Sequence, residues 1–150
     1  MAKPAEQRTH ILRNGYDYEL DENARTRRVS GYLDTTRISP RSRTTQARAG
    51  GADRRRSDDG GHYIAARFNG PTDAFNHFAQ DANFNRSRYR AVENEWAREK
   101  KAGKTVFVKI VPVYEGRSRR PFRINVWFTV DNHERSLKFD NENGANRHGK

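Results

Sequence analysis

The order of apolar patterns along the chain predicts an α+β fold, an antiparallel sheet packed against one main helix. Three observations carry that prediction. Residues 105–114 (TVFVKIVPVY) and 121–131 (PFRINVWFTVD) are rich in β-branched and aromatic side chains and flank a short polar turn, as an antiparallel pair does. Residues 87–101 place Tyr89, Val92 and Trp96 on one side of a helical pattern otherwise made of Arg, Glu and Lys. The order of elements is strands, loop, strand, helix, strands, without the βαβ alternation of a parallel sheet.

The remaining elements follow in order. Residues 1–14 read as a loose tail and 15–141 as one domain. Residues 16–20 and 28–33 form a hairpin about the turn 21–24. Residues 34–59 are almost all Thr, Ser, Arg, Gly and Ala, a long irregular connection of the kind that carries function. A short strand is expected at 62–68, a brief helix or turn at 71–80, and a loop at 81–85. Gly103 stops the helix. Residues 135–139 add an edge strand, and 142–150 fray.

Composition narrows the function. Hydrophobic and charged residues each make up 33 % of the 150 residues, lean for a globular chain. With no cysteine, disulfides and thiolate metal sites are excluded. Thirty Lys and Arg against 19 Asp and Glu give a net charge of +11, which favours a polyanionic partner. No apolar run could span a bilayer, and the N-terminus lacks the apolar stretch of a signal peptide. Without a basic amphipathic helix bearing an aromatic face, nucleic acid outranks membrane, and no membrane anchor is expected.

The stretch SDDGGHYIAARF (57–68) puts two glycines directly before a histidine. Glycine permits angles and close approaches that other residues resist, so Gly60 and Gly61 are expected to form a tight bend presenting His62. A histidine near pKa ~6.5 accepts a proton at neutral pH. Asn85 offers a hard carbonyl oxygen and Glu93 a carboxylate, a sparse oxygen set of the kind magnesium takes with its waters. Eight positions separate them, ~12 Å on an uninterrupted helix. Either Asn85 lies in the loop before the helix, or Glu93 acts through a metal-bound water; Asn85 is taken as ligand and Glu93 as the outer partner. His10, His77, His133 and His148 show no partner pattern. Tyr89, Val92 and Trp96 read as core.

Asp59-Gly-Gly-His62, Ile64-Ala65, Arg67-Phe68, Gly70-Pro71, Asn76, Gln80, Phe84-Asn85-Arg86-Ser87 and Glu93-Asn94-Glu95-Trp96 together resemble the DNA/RNA non-specific endonucleases. These are ββα-metal (His-Me finger) nucleases, and the nearer likeness is to toxin domains of bacterial polymorphic and secretion-delivered systems. The resemblance implies a ββα-metal core in which His62 is the general base. Asn85 would bind one divalent ion, magnesium or manganese, and Glu93 would hold a water on it. Asp59, Asn76 and Gln80 would support the site.

Better-known members carry Asp-Arg-Gly-His where this chain has Gly60. The missing cation must come from elsewhere, with Arg54, Arg55, Arg56, Arg67, Arg86 and Arg88 as candidates. Arg86 is assigned to catalysis and the others to nucleic-acid binding. The implied function is metal-dependent cleavage of DNA and RNA by a bacterial toxin domain, secreted or delivered to a target cell, or cytoplasmic before export. An acidic immunity protein would be its partner. The rival reading is a basic nucleic-acid binder without catalysis. Oligomeric state is open.

Overall fold

A computed structural model describes residues 7–143. Its strands are β1 (Thr9–Arg13), β2 (Tyr16–Leu20), β3 (Thr26–Tyr32), β4 (Asp58–His62), β5 (His77–Asp81), β6 (Val106–Val113), β7 (Arg123–Val130) and β8 (His133–Asp140). Its helices are α1 (Arg43–Arg48), α2 (Ala82–Phe84) and α3 (Arg90–Lys101), the last two joined by a π-helical turn over Asn85–Tyr89. The architecture is α+β, as expected. Six strands form one antiparallel sheet in the order β1-β2-β3-β6-β7-β8, and β4 pairs only with β5.

The two strongest strand patterns become β6 and β7, near the middle of the sheet. Their alternation puts Val106, Val108 and Ile110 on one face with Ile124, Val126 and Phe128, all wholly buried. The helix covers that face. Trp96 lies edge-on between the rings of Phe68 and Phe128, with centroids at 6.4 and 5.5 Å. Tyr89 and Val92 join the same buried cluster, so the periodic residues of the helix are core. Among the described residues no helix is long and apolar enough to cross a membrane.

Neighbouring strands β3 and β6 are joined by the long connection 33–105, and everything polar of interest hangs from it. This connection folds into α1, the β4–β5 ribbon and the long helix. Buried polar contacts fix it to the sheet. The Tyr18 hydroxyl donates to Asn76 Oδ1 at 2.7 Å, and the Tyr16 hydroxyl donates to the Phe68 carbonyl at 2.6 Å. On the far side, Arg120 donates to both oxygens of Asp58 at 2.7 and 2.8 Å, with both side chains almost wholly buried. Arg120 also reaches the Asn141 carbonyl, while the Asn141 amide spans Ala79 and Pro121.

Several expectations need correction. Residues 9–13 are not tail but β1, turned into β2 by Asn14 and Gly15 with φ of 54° and 86°. An Asn-Gly pair between strands is itself a hairpin signal. The irregular segment contains α1, capped by Ser42, whose side chain accepts from the Thr45 amide. His62 ends a strand rather than starting one, and residues 66–68 form a single 3₁₀ turn. Residues 77–81 form β5, and 82–85 are already helical, opened by Asp81 accepting from the Phe84 amide at 3.0 Å. The sequences DDGGH and HFAQD carry little strand preference. Mutual pairing and burial decide their conformation instead. Residues 1–6 of the expected N-terminal tail and 144–150 of the C-terminal one, with His148, lie outside the described residues.

Removing one partner from the buried Asp58–Arg120 pair leaves a charge without compensation. The Arg120→Leu protein is expected to lose about 3–5 kcal/mol of stability in urea titration. Unchanged stability would mean that the pair does not hold the ribbon to the sheet.

Candidate active site

The β4–β5 ribbon runs in register from Asp58 opposite Asp81 to His62 opposite His77, and the helix follows β5 directly. This gives a strand–strand–helix unit with His62 at the end of the ribbon from which the connection 63–76 leaves. Gly60 and Gly61 lie inside β4, neither with positive φ, so the expected tight bend is absent. Their reason is space. A Cβ on Gly60 would lie 2.6 Å from the Gln46 Cα of α1 and closer still to its carbonyl. A Cβ on Gly61 would lie 2.8 Å from the Gln80 Cβ. The glycines let α1 and Gln80 pack flat against the ribbon, which walls in the histidine.

A cleft of about 200 Å³ opens there, and His62, Asn85 and Glu93 all line it. Both ring nitrogens of His62 are shielded from solvent and lack a hydrogen-bond partner among the described residues. Desolvation, reinforced by His77, Arg41 and Arg90, pulls its pKa from 6.5 down to about 4. At neutral pH the imidazole is therefore uncharged. His77, expected to have no role, faces His62 with ring centroids 6.0 Å apart. Its Nδ1 lies 2.9 Å from the Asp73 carbonyl, which can only accept, so Nδ1 carries the proton.

Asn85 is set by its neighbours. Its Nδ2 donates to Asp59 Oδ2 at 2.9 Å. A carboxylate only accepts, so this contact turns the amide nitrogen toward Asp59 and leaves Oδ1 for another partner. Arg86 holds the same carboxylate through two bonds at 2.7 and 3.0 Å. Burial opposes ionisation of Asp59, but Arg86 and Asn85 outweigh it and keep its pKa below the usual carboxylate value. Arg86, expected among the catalytic groups, thus steadies the residue that steadies Asn85.

Asn85 lies neither in a loop before the helix nor on a regular helix with Glu93, but in the π turn that leads into α3. In a straight α-helix eight residues overshoot two turns by about 80°. The π turn absorbs one residue and reduces the offset to about 20°, placing both side chains on one face. Glu93 is buried, and its Oε2 has no hydrogen-bond partner among the described residues. Desolvation raises its pKa from 4.5 to about 7 against the pull of Arg67, Arg90 and Arg41.

This donor set fits a hard divalent ion. Among the described residues no three His, Asp or Glu side chains gather into a metal cage. One amide oxygen and one buried carboxylate oxygen without a partner suit an ion that keeps several waters and takes oxygens from its substrate. Asn85 and Glu93 are the residues that could hold it.

The other expected residues separate. Arg67 lines the cleft and donates to Asn94 Oδ1 at 2.8 Å. Arg54 donates to the Gln46 and Ala47 carbonyls, closing the end of α1. Arg55 and Arg56 are exposed outside the cleft. Arg88 donates to the Glu142 carbonyl and lies over the Phe84 ring. Asn76 is wholly buried and braces the chain after His62 by bonding Ile64 and Pro71. Gln80 lies against Gly61, wholly buried. Arg41 and Arg90 line the cleft but were not singled out. Arg90 precedes Glu93 by three residues on the same helix and was legible from that spacing; Arg41 depends on α1, which was not foreseen.

The fold and the cleft define a strand–strand–helix site suited to phosphodiester chemistry. A family model described as DNA/RNA non-specific endonuclease matches residues 6–132, and the chain belongs to that family. Membership supports nuclease activity. The type VII secretion system protein EssD of Staphylococcus aureus, in strains USA300 and NCTC 8325, is 33 % identical over 132 residues, or 83 % of this chain. That match is 21 % of EssD, so the chain spans about a fifth of the length of these relatives. In fold the chain is similar to NucA from Streptococcus agalactiae, solved with magnesium ion bound. The TM-score is 0.62 at 16 % identity, covering 89 % of this chain and 84 % of that one.

The titrations carry opposite signs. Between pH 6.5 and about 4 the unfolded chain binds a proton that folded His62 refuses, so this term lowers stability as pH falls. Between 4.5 and about 7 folded Glu93 holds a proton that the unfolded chain has released, so its term lowers stability as pH rises. The two oppose each other in a melting curve, and NMR separates them. In metal-free protein the His62 ring is expected to titrate near pH 4; a midpoint at its ordinary 6.5 would contradict the desolvated site.

Proposed function

We propose that this chain is a divalent-metal-dependent endonuclease that hydrolyses phosphodiester bonds in DNA and RNA. The observation that carries the reading is the convergence of an uncharged His62, the free oxygen of Asn85 and the partnerless carboxylate oxygen of Glu93 on one arginine-walled cleft. His62 takes a proton from the attacking water as the new P–O bond forms and the bond to the leaving oxygen breaks. Burial and neighbouring cations keep its lone pair available above about pH 4. Asp59 and Arg86 hold Asn85 in one orientation throughout. A divalent ion, magnesium first and manganese as its substitute, would supply charge neutralisation at the phosphate from Asn85 and Glu93.

The lining also supports indifference to base and sugar. Among the described residues no Phe, Tyr or Trp lines the cleft, so they offer no stacking platform for bases. Guanidinium groups grip phosphates, which carry no sequence information, and such binding weakens steeply with salt. The likeness to a type VII secretion system protein supports a chain that is secreted or delivered to a target cell, where a nuclease would act as an antibacterial toxin domain. A chain at +11 with this activity calls for an acidic immunity protein over its basic face in the producing cell.

Supercoiled plasmid and a folded RNA separate the readings. Both are expected to be cut with magnesium and spared with EDTA, and His62→Ala should lower the rate by about 10²–10⁴. Retardation without cutting, unaffected by EDTA or the substitution, would make the chain a basic binder. Cutting of DNA alone would remove RNA from the proposal.

A further inference from the structure

A second cavity, of about 270 Å³, lies beside the His62 cleft and has no part in the chemistry above. Helix α1 separates the two: Thr45 and Arg48 line the second cavity, whereas Gln46 lines the cleft. At the ribbon they come close. His77 lines the second cavity and its cross-strand partner His62 lines the cleft, with the rings 6.0 Å apart.

The lining of this cavity is cationic. It takes three guanidinium groups from separate parts of the fold, Arg25 from the β2–β3 turn, Arg48 from α1 and Arg119 from the β6–β7 turn, and no Asp or Glu among the described residues. The charge of Arg25 is answered, because its Nε donates to the buried Asp21 at 2.9 Å and its Nη1 to the Gly116 and Ser118 carbonyls. Arg119 is different. Its Nη1 donates to the Asn23 carbonyl at 2.9 Å, which aims the side chain without neutralising it. The nearby Asp53 carboxylate accepts from the Arg119 backbone amide at 2.8 Å, so it fixes the turn. Arg48 has no hydrogen bond or ion pair among the described residues. The carbonyls at the end of α1, which would repel an anion, are covered by Arg54.

Two like charges facing one cavity repel, and an anion between them removes that cost. A phosphate is the anion that a guanidinium fork fits best. Phe75 adds an apolar wall, which an inorganic ion does not use but the sugar or base of a nucleotide does. The substrate of the neighbouring cleft is itself a run of phosphates joined by such groups.

We propose that this cavity binds a phosphate of the substrate strand flanking the one that is cut, with Arg119 and Arg48 as its cations. The inference rests on the nuclease reading above and concerns binding rather than the chemical step. A contact made equally before and during the reaction lowers KM and leaves kcat alone.

The test uses the full chain and a short single-stranded DNA, comparing wild type, Arg119→Ala and Arg117→Ala. Arg117 is exposed in the same turn and lines neither cavity, so its variant controls for lost charge. With magnesium, Arg119→Ala is expected to raise KM by about 10–100-fold at unchanged kcat, the range of a hydrogen bond to a charged group, and Arg117→Ala should match wild type. NMR of the wild type in EDTA should show the DNA shifting the Gly50 and Gly51 amides, which line the cavity, together with the His62 ring. In Arg119→Ala the glycine shifts should vanish and the His62 shift remain. A fall in kcat at unchanged KM would place Arg119 in support of the chemistry and overturn the assignment. Equal effects of Arg117→Ala and Arg119→Ala would reduce it to diffuse charge, and glycine shifts with inorganic phosphate but not with DNA would make the cavity a separate anion site. Wild-type KM in Arg119→Ala, with His62→Ala inactive, would overturn it while leaving the nuclease reading intact. No cleavage by wild type would overturn both.

Discussion

A buried ion pair, Asp58 with Arg120, joins the two-stranded ribbon to the six-stranded sheet. An isolated pair of short strands is barely stable in water, and β4 and β5 have little intrinsic strand preference. The ribbon exists because its neighbours hold it. Arg120 clamps Asp58 from the turn between β6 and β7, Asn141 ties β5 to the end of β8, and Asn76 ties the following segment to Tyr18. Strand alternation then does the rest. With Asp58 turned into the ion pair, Asp59 faces the other way, toward Asn85 and Arg86. Two adjacent carboxylates thus serve opposite ends, one fixing the ribbon to the scaffold and the other orienting the asparagine.

The cleft works electrostatically by keeping charges apart. Burial makes the imidazole neutral and keeps the carboxyl of Glu93 reluctant to ionise, while surrounding arginines keep the cavity positive. Without an ion or a phosphate these settings are costly, since a buried polar atom without a partner is unfavourable. Such strain belongs at a functional site, where a bound group relieves it.

Much of this was legible in the sequence, and the failures have a common cause. β6, β7 and the helix were readable because packing against one face imposes a period on apolar residues. His62, Asn85 and Glu93 were readable through the motif around them. The ribbon was not, because strands of Asp, Gly, His and Gln owe their form to tertiary contacts. For the same reason, the glycines looked like a bend when they are clearance for α1. The π turn that brings Asn85 and Glu93 onto one face leaves no compositional mark. Arg41 was hidden in a run of arginines of which Arg54 closes a helix end. Charge was visible there; direction was not.

The central claim is that one cleft combines a divalent-ion site with an uncharged histidine. Manganese titration into isotope-labelled protein followed by NMR tests it most directly, because the ion broadens signals according to distance. Low manganese is predicted to erase the Asn85 side-chain amide and His62 ring signals first, with the Glu93 backbone amide next, and Asn85→Ala should abolish the effect. Broadening centred instead on an exposed carboxylate of the sheet, such as Glu134, with the cleft signals intact, would contradict the account.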